Sequence, residues 1–545
     1  MPFIKIDNKE LEVEKGITVL EAAKKVGIEI PHYCYHPALK IVASCRMCLV
    51  KVQGIPKLVP SCSTTVYSLP PEKKIDGKYD MVVSTTDKEV KDAQESMMEF
   101  LLLNHPVDCP ECDQAGECYL QDYSYQYGKG FSRFDFEKRV PPRKDLGPHV
   151  LLIATRCILC SRCVRFTQEV SGTNELIVKQ RGYKSEIDTF PGLSLNNKLS
   201  LNTVDICPVG ALVSKDFLHK PRNWRYEKVK SICPGCSVGC HIQIEYLAEK
   251  NEIGRIKPLY HPDVNQWWMC DDGRLFYHEY EKIERLHQPQ IKNDQGHRDV
   301  NWQEALQYAV ENLSKFSPNE IAAVGNGFAT NEENYLLKHI FLNGLKVKTI
   351  GICDYYIREQ DVVYPGFTIK GEKLPNWQGA VDVLGSEITL SRILKKIEKG
   401  EIKALYFLGG DPRFKLSENE VKTLSKLEFL VVQDIKQSAL TAISHLLLPG
   451  SGTYEKEGTY TNYQGRVQRI RAATMPPGLA RRDFDILREL GQRMGIKIPL
   501  HPRGLFAHLS GDIKGYQGMD YASLSDGGML KSEAPTKKTK TEVVE

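Results

Sequence analysis

An α+β chain that becomes α/β in its second half, divided into several domains, is the fold that three observations predict. The 545 residues exceed what one hydrophobic core organises. Fifteen of the 16 cysteines are bunched before residue 271, and only Cys353 stands apart. Beyond residue 276 the pattern changes to amphipathic helices alternating with short apolar strands. With 41% hydrophobic and 26% charged residues the composition is that of an ordinary globular protein, and a formal charge of +4 is too small to imply a nucleic-acid or anionic-membrane partner. The amino end lacks the basic-then-apolar pattern of a signal peptide, and apolar runs such as "HVLLIAT" are far shorter than a membrane span. These features predict a soluble intracellular chain, in whose reducing compartment clustered cysteines bind metal rather than form disulfides.

In chain order, residues 3 to 6 ("FIKI") and 11 to 13 read as a hairpin around Asp7-Asn8, and Thr18 with Glu21 makes a capping box for a helix that stops at Gly27. Strand, turn, strand, helix and a cysteine loop predict a plant-type ferredoxin (β-grasp) domain over residues 1–85. A second module, 86–140, begins with a capping box from Thr86 and Glu89. Val90, Ala93, Met97 and Phe100/Leu101 then recur at helical spacing until Pro106 forbids continuation, so the helix delivers His105 to its end. The segment "PPRKDLG" (141–147) reads as a linker opening a third module, 141–225, and 226–275 as a compact cysteine module. Over 276–510, "WQEALQYAVENL" is an amphipathic helix, Thr330 and Glu333 cap the next, and "EIAAVGNG", "IKALYFLGG" and "FLVVQD" are buried strands. "GNGFAT" lacks the third glycine of a dinucleotide fingerprint, which argues against NAD binding by that loop. Residues 511–545 turn polar and read as a disordered tail.

The cysteine spacings carry the chemistry. Cys34, Cys45, Cys48 and Cys62 offer four thiolates from one small loop-rich domain, which suits a [2Fe-2S] cluster whose two irons each need two ligands; structural zinc is the bland alternative. Cys157, Cys160 and Cys163 form half of a bacterial ferredoxin run, and Cys207, followed by proline, completes a [4Fe-4S] set. Cys233, Cys236, Cys240 and the distant Cys270 lack the paired CxxC of a zinc ribbon and predict another [4Fe-4S] cluster. Cys109, Cys112 and Cys118 leave one ligand missing. Four sites need sixteen donors where the bunched cysteines supply fifteen, so His105, held by a helix end and Pro106, becomes the fourth ligand of a third [4Fe-4S] cluster. Its dull alternative is a helix-terminal histidine facing water. No paired carboxylates or Ser/His/Asp arrangement rise above background, and no catalytic residue is assigned.

"SCRMCLVKV", "HPVDCPECDQAGEC", "RCILCSRCVRFTQEV" and "CPVGAL" together resemble the family of large iron-sulfur subunits, the G subunits, of bacterial respiratory complex I, the NADH-quinone oxidoreductase. The resemblance covers residues 1 to about 275 motif by motif and continues more weakly to about 500; Ala115 and Tyr119 depart from it without touching a ligand. It implies an electron-relay subunit of a quinone-reducing translocase, without its own substrate site. Its partners would be a flavin-bearing NADH-oxidising subunit with its small [2Fe-2S] companion, and the quinone-side iron-sulfur subunits of the peripheral arm. It implies a bacterial cytoplasmic location on the inner membrane's cytoplasmic face, with membrane contact only through the complex. By the same resemblance the Cys34 cluster is a side branch, the Cys157 and His105 clusters form the main wire, and the Cys233 cluster stands off it.

Residues 276–505 resemble a shortened molybdopterin-oxidoreductase domain through "LGGDPR", "VVQDIKQSALTAISHLLLP" and "EKEGTYTNYQGRVQRI". That raises the rival of a NAD-linked formate dehydrogenase catalytic subunit. Against it, only about 160 residues separate Cys270 from "VVQD", Asp272 stands where pterin enzymes commonly carry a bridging lysine, and Cys353 in "IGICDYYIRE" has an ordinary context. No molybdopterin is expected. A hydrogenase-type relay subunit would need more cysteine clusters in the second half, and a zinc-stabilised interaction protein would be colourless.

Overall fold

The computed structural model describes residues 1–354 and 358–531, so part of the Cys353 context and residues 532–545 of the expected tail lie outside the described residues. The described chain divides into two compact units, residues 1–225 with 364–367, and residues 226–363 with the remainder from 368.

The first unit opens with the expected hairpin, Phe3–Ile6 against Lys9–Glu12, with Asp7 in the left-handed region at φ 52°. These strands join a five-stranded sheet in the order 9–12, 3–6, 81–84, 49–52, 59–60. Ile4, Ile6, Val50, Val52, Met81 and Val83 alternate inward onto the Val19–Lys25 helix, whose Thr18–Glu21 capping box is present.

The following helix, Lys88–Leu102, departs from expectation. Asp87, not Thr86, is its cap and accepts from the Glu89 N–H. Its buried face is Val90, Gln94 and Met98, and Phe100 is 69% exposed. On that face Met98 Sδ accepts from the Tyr33 hydroxyl at 3.1 Å. The expected linker also contains structure, since Lys144–Asp145 pairs antiparallel with Val150–Leu152.

The second unit begins with a three-stranded antiparallel sheet, Glu227–Ile232, His241–Leu247 and Glu252–Pro258. Its largest element is a seven-stranded sheet in the order 296–299, 290–293, 446–449, 429–434, 404–408, 321–325, 349–352, whose last five strands are parallel. Ile321–Gly325, Ala404–Leu408 and Phe429–Asp434 are buried throughout, as a parallel sheet covered on both faces requires. Helices Trp302–Leu313, Asn331–Asn343 and Asp483–Arg493 cover one apolar face, and Leu390–Glu398 the other. The tail expectation is corrected over residues 511 to 531, because Tyr516, Met519, Tyr521 and Leu524 are buried in the first of these cores.

Candidate iron-sulfur centres

The Cys34 group sits in a loop beside the ferredoxin-like sheet. Cys34, Cys48 and Cys62 are buried and Cys45 is half-buried. Hydrogen bonds from Cys45 and Cys62 push the Cys34 thiol far below its ordinary pKa, while the bond to Cys34 pushes the Cys45 and Cys62 thiols up. The four sulfurs thus lie within mutual hydrogen-bonding reach, Cys34 with Cys45 and Cys62, and Cys48 with Cys62. Ala43 and Arg46 flank Cys45 in left-handed backbone, at φ 49° and 55°. Curling the loop this way costs about 1–2 kcal/mol per residue.

Cys157, Cys160, Cys163 and Cys207 line one small cavity whose other walls include Leu152, Ile187 and Ala211. The loop uses the same device, with Leu159 at φ 53° and Ser161 at φ 59°. Burial pushes Cys157 up to about 12 and Cys160 up to about 11, so these thiols would carry charge only beside a bound cation. The Leu159 N–H donates to Cys157 Sγ at 3.4 Å, the type of bond that tunes a sulfur ligand.

Cys109, Cys112 and Cys118 lie around the start of the Tyr119–Tyr127 helix. Room beside Cys112 depends on Gly210, where an added Cβ would stand 2.2 Å from Cys112 Sγ. His105 is half-buried in the turn after the Lys88–Leu102 helix, and the Val107 N–H donates to its Nδ1 at 3.1 Å. Burial lowers its pKa to about 4, against the opposing pull of Asp108. The ring is therefore neutral, as a ligating imidazole must be. His105 is tied to the thiols through the Asp108–Arg156 ion pair, whose charges act on both His105 and Cys112.

In the second unit Cys233, Cys236, Cys240 and Cys270 are all buried. Burial pushes Cys233 up to about 12 and raises the other three thiols. Gly273 leaves the space between two of them, since its added Cβ would stand 2.8 Å from Cys233 Sγ and 3.3 Å from Cys270 Sγ. Cys353 is buried among Val324, Leu405 and Leu390 as an ordinary core residue. Among the described residues no three histidine, cysteine or carboxylate side chains converge on one point as a single metal ion would require.

Cysteine spacing does not reveal the arginines that join these groups. Arg162 Nη2 donates to the Tyr35 carbonyl at 2.5 Å and Nη1 to the Ile206 carbonyl at 3.1 Å. Arg165 donates to the Cys34 and Cys160 carbonyls at 2.5 and 3.3 Å. Arg222 bonds the carbonyls of Cys112 and Pro110. The one signal that could have found them is the presence of arginines beside the cysteine runs.

The carboxyl edge of the large sheet is where a pterin would be sought, and none is expected there. Dinucleotide ligands of open α/β sheets lie where the strand order reverses, here between Ile321–Gly325 and Ala404–Leu408. The Asn326 amide spans that point, donating to the carbonyls of Leu408 and Gly409 at 2.5 and 2.8 Å. Asp434 accepts from the Gly410 N–H, and Lys436 donates to the Pro412 and Phe414 carbonyls. These side chains are thus hydrogen-bonded to the backbone of that edge.

Comparison with known proteins agrees with the modules. A 2Fe-2S iron-sulfur cluster binding domain matches residues 3–68, the NADH-ubiquinone oxidoreductase-G iron-sulfur binding region 94–133, and the ferredoxin-like domain of NADH-quinone oxidoreductase subunit 3 residues 147–213. The molybdopterin oxidoreductase Fe4S4 domain matches 226–280 and molybdopterin oxidoreductase 366–493. The NADH-quinone oxidoreductase G subunit of Rickettsia felis is 32% identical over 84% of this chain and 67% of its own length. Its counterpart from Rickettsia bellii is 38% identical over 65% of this chain and about half of its own length, 49%. The NADH-ubiquinone oxidoreductase 75 kDa subunit of Reclinomonas americana is 30% identical over 91% of this chain and 88% of its own length. A solved NAD+-reducing [NiFe]-hydrogenase in the H2-reduced state is 27% identical, covering 41% of this chain and 91% of that one, at a TM-score of 0.35.

Modules that bind 2Fe-2S and 4Fe-4S clusters, in series along one chain, define an iron-sulfur protein with several centres. Identity and coverage then fix which kind: the chain belongs to the G-subunit family of NADH-quinone oxidoreductase.

Proposed function

We propose that the chain relays electrons within an NADH-quinone oxidoreductase, from a flavin-bearing NADH-oxidising partner and its small [2Fe-2S] companion towards quinone-side iron-sulfur subunits. The observation that carries the reading is the Cys207–Gly210 loop. It follows a ligand of one centre and touches two ligands of the next, with the Pro208 carbonyl 3.9 Å from Cys118 Sγ and Gly210 against Cys112 Sγ.

The ligand sets would be Cys34, Cys45, Cys48 and Cys62 for a [2Fe-2S] cluster, and His105 with Cys109, Cys112 and Cys118 for a [4Fe-4S] cluster. Two further [4Fe-4S] clusters would take Cys157, Cys160, Cys163 and Cys207, and Cys233, Cys236, Cys240 and Cys270. Such clusters supply one-electron carriage without rearrangement of atoms. The chain's own part is spacing and charge. Arg162 and Arg165 hold the Cys34 loop to the Cys157 and Cys207 loops through the carbonyls of Cys34, Tyr35, Lys40, Cys160 and Ile206. Tyr33 lies in the electrostatic reach of both Cys45 and Cys118. The first three groups thus adjoin one another, which supports electron exchange among them. Permanent positive charge from Arg156, Arg162 and Arg165 beside the thiolates favours the reduced state.

The modules proposed are residues 1–85, 86–140, 141–225 and 226–275, with an α/β domain from 276 extended to about 531. The partners are other subunits of the complex. Among the described residues no helix is long and apolar enough to cross a membrane, and the location proposed is the cytoplasmic face of a bacterial inner membrane, reached through those partners.

Iron, acid-labile sulfide and molybdenum per chain, measured on anaerobically purified protein, test the assignment. About fourteen irons without molybdenum follow from one two-iron and three four-iron clusters. Stoichiometric molybdenum would reinstate the formate dehydrogenase reading. His105→Cys replaces a neutral ligand by an anionic one and lowers that cluster's potential; an unchanged redox titration removes His105 from the ligand set.

A further inference from the structure

The second unit contains a cavity of about 500 Å³, within the range of about 300–1,000 Å³ typical of small-molecule sites. Two helix beginnings line it. Asp483–Arg493 starts after Arg482 and Pro502–Asp512 after His501, both helices are 11 residues long, and neither Arg482 nor His501 caps its helix with its side chain. Ser451 Oγ accepts from the Asp483 N–H, and the cap carbonyls from those of Asp485 and Gly504, so the Phe484 and Arg503 N–H groups with the positive dipole ends are what favours an anion here. The cationic side chains of Lys456, Arg469, Arg482, Arg488 and Arg503 outnumber the carboxylates of Glu333, Glu457 and Asp485 on the same walls. Lys456 is engaged with Glu333 and Asp483, and Arg488 meets Asp485 at 3.7 Å. Among the described residues Arg482 and Arg503 form no ion pair, which leaves two exposed guanidinium groups at the helix starts.

A second observation is independent of the positive charge. Glu333 has a side chain only 1% exposed, and its Oε1 has no hydrogen-bond partner. The Nε groups of Arg469 and Arg488 are likewise buried and unpartnered. A fully ionised phosphoryl group supplies acceptors only and would answer the arginines but not the carboxylate oxygen. A ligand that answers both carries a donor as well.

We propose that this cavity binds a phosphate ester bearing free hydroxyl groups, of nucleotide or sugar-phosphate size. Its phosphoryl group would lie on the two helix starts with Arg482 and Arg503, and a hydroxyl would donate to Glu333 Oε1. This site is separate from the relay and its ligand undergoes no reaction.

The test titrates the full-length, cluster-loaded chain by calorimetry at low salt with ADP, ribose 5-phosphate and inorganic phosphate. Saturable binding of an ester, about tenfold or more tighter than inorganic phosphate, is expected. Tighter ADP identifies the nucleotide source; equal affinities of the two esters identify the sugar phosphate. The double variant R482A/R503A alters exposed side chains, so it should keep the parent Tm while losing about tenfold or more in affinity. No saturable binding of either ester overturns the proposal, as does inorganic phosphate binding equally well or a double variant that binds like the parent.

Discussion

Residues 86–225 and the seven-stranded sheet of the second unit are ordered by different means. The sheet strands are buried from end to end, with apolar cores on both faces. Hydrophobic burial, about 25 cal/mol per Å², holds such a structure without help. In the cysteine modules the chain instead folds around charged donors. Arg156, Arg162 and Arg165 are each 5% exposed or less and bond a carboxylate or backbone carbonyls. The same modules place Val107, Leu159 and Ser161 in left-handed backbone, and Val107 is β-branched, for which that region is an outlier. Strain of about 1–3 kcal/mol per residue persists only where the surroundings over-determine it. The difference teaches that residues 86–225 are ordered by buried charge and strained loops, and it predicts that bound metal contributes to their order more than to that of the sheet.

Removing the iron gives the largest expected effect. Chelation under reducing conditions should open residues 86–225 to protease and amide exchange, while the strands Ala404–Leu408 and Phe429–Asp434 keep their protection. Equal loss of protection in both regions would end the contrast. Next comes the buried ion network of the sheet domain. Burial pulls the Lys456 pKa down, but Glu333 and Asp483, at 2.9 and 3.1 Å, raise it well above its ordinary value and keep it charged. Lys456→Met strands two buried carboxylates and should cost about 3–5 kcal/mol in the denaturant transition of this domain, without changing the cluster spectra.

The same contrast explains what is legible in the sequence. Local signals survive: the Thr18–Glu21 and Thr330–Glu333 capping boxes and the strands "ALYFL" and "FLVVQD" need only neighbours in the chain. Competition between adjacent cap formers misleads at Thr86, where Asp87 offers its carboxylate to the Glu89 N–H. Residues 511 to 531 look polar because Tyr516, Met519, Tyr521 and Leu524 are scattered among glycine and aspartate. Tyr521 is fixed by Glu332, 189 residues away, at 2.8 Å. Cysteine spacing names the candidate ligands, yet Arg162 reaching Tyr35 across 127 residues leaves no trace in any local pattern.

Arg162→Met should have an intermediate effect. It removes a 5% exposed guanidinium and leaves the Tyr35 and Ile206 carbonyls unmet, a loss of about 2–4 kcal/mol confined to the cysteine modules. If those carbonyls hold the Cys34 and Cys157 loops in register, the EPR signals of both centres should broaden together. A change in only one would mean that the arginine supports a single loop.

The smallest effect concerns pH, where the two halves should respond with opposite sign. Metal-binding cysteines must be deprotonated, so acid should release metal and the cysteine modules should lose stability as pH falls. Glu332 runs the other way. It is fully buried, and burial pushes its pKa up to about 7 despite hydrogen bonds from Thr459 and Tyr521. Its folded value exceeds its unfolded one, so between about pH 4.5 and 7 the folded state binds more protons and this group's contribution falls as pH rises. Glu332→Gln, isosteric and always neutral, should remove that slope from the transition of the α/β domain, an effect of about 1 kcal/mol per pH unit within the window. The cysteine modules should keep their acid sensitivity in the variant. A slope that survives the substitution would assign the proton uptake to Asp434, which burial raises to about 6, and would move the pH response from the Thr459–Tyr521 contact to the carboxyl edge of the sheet.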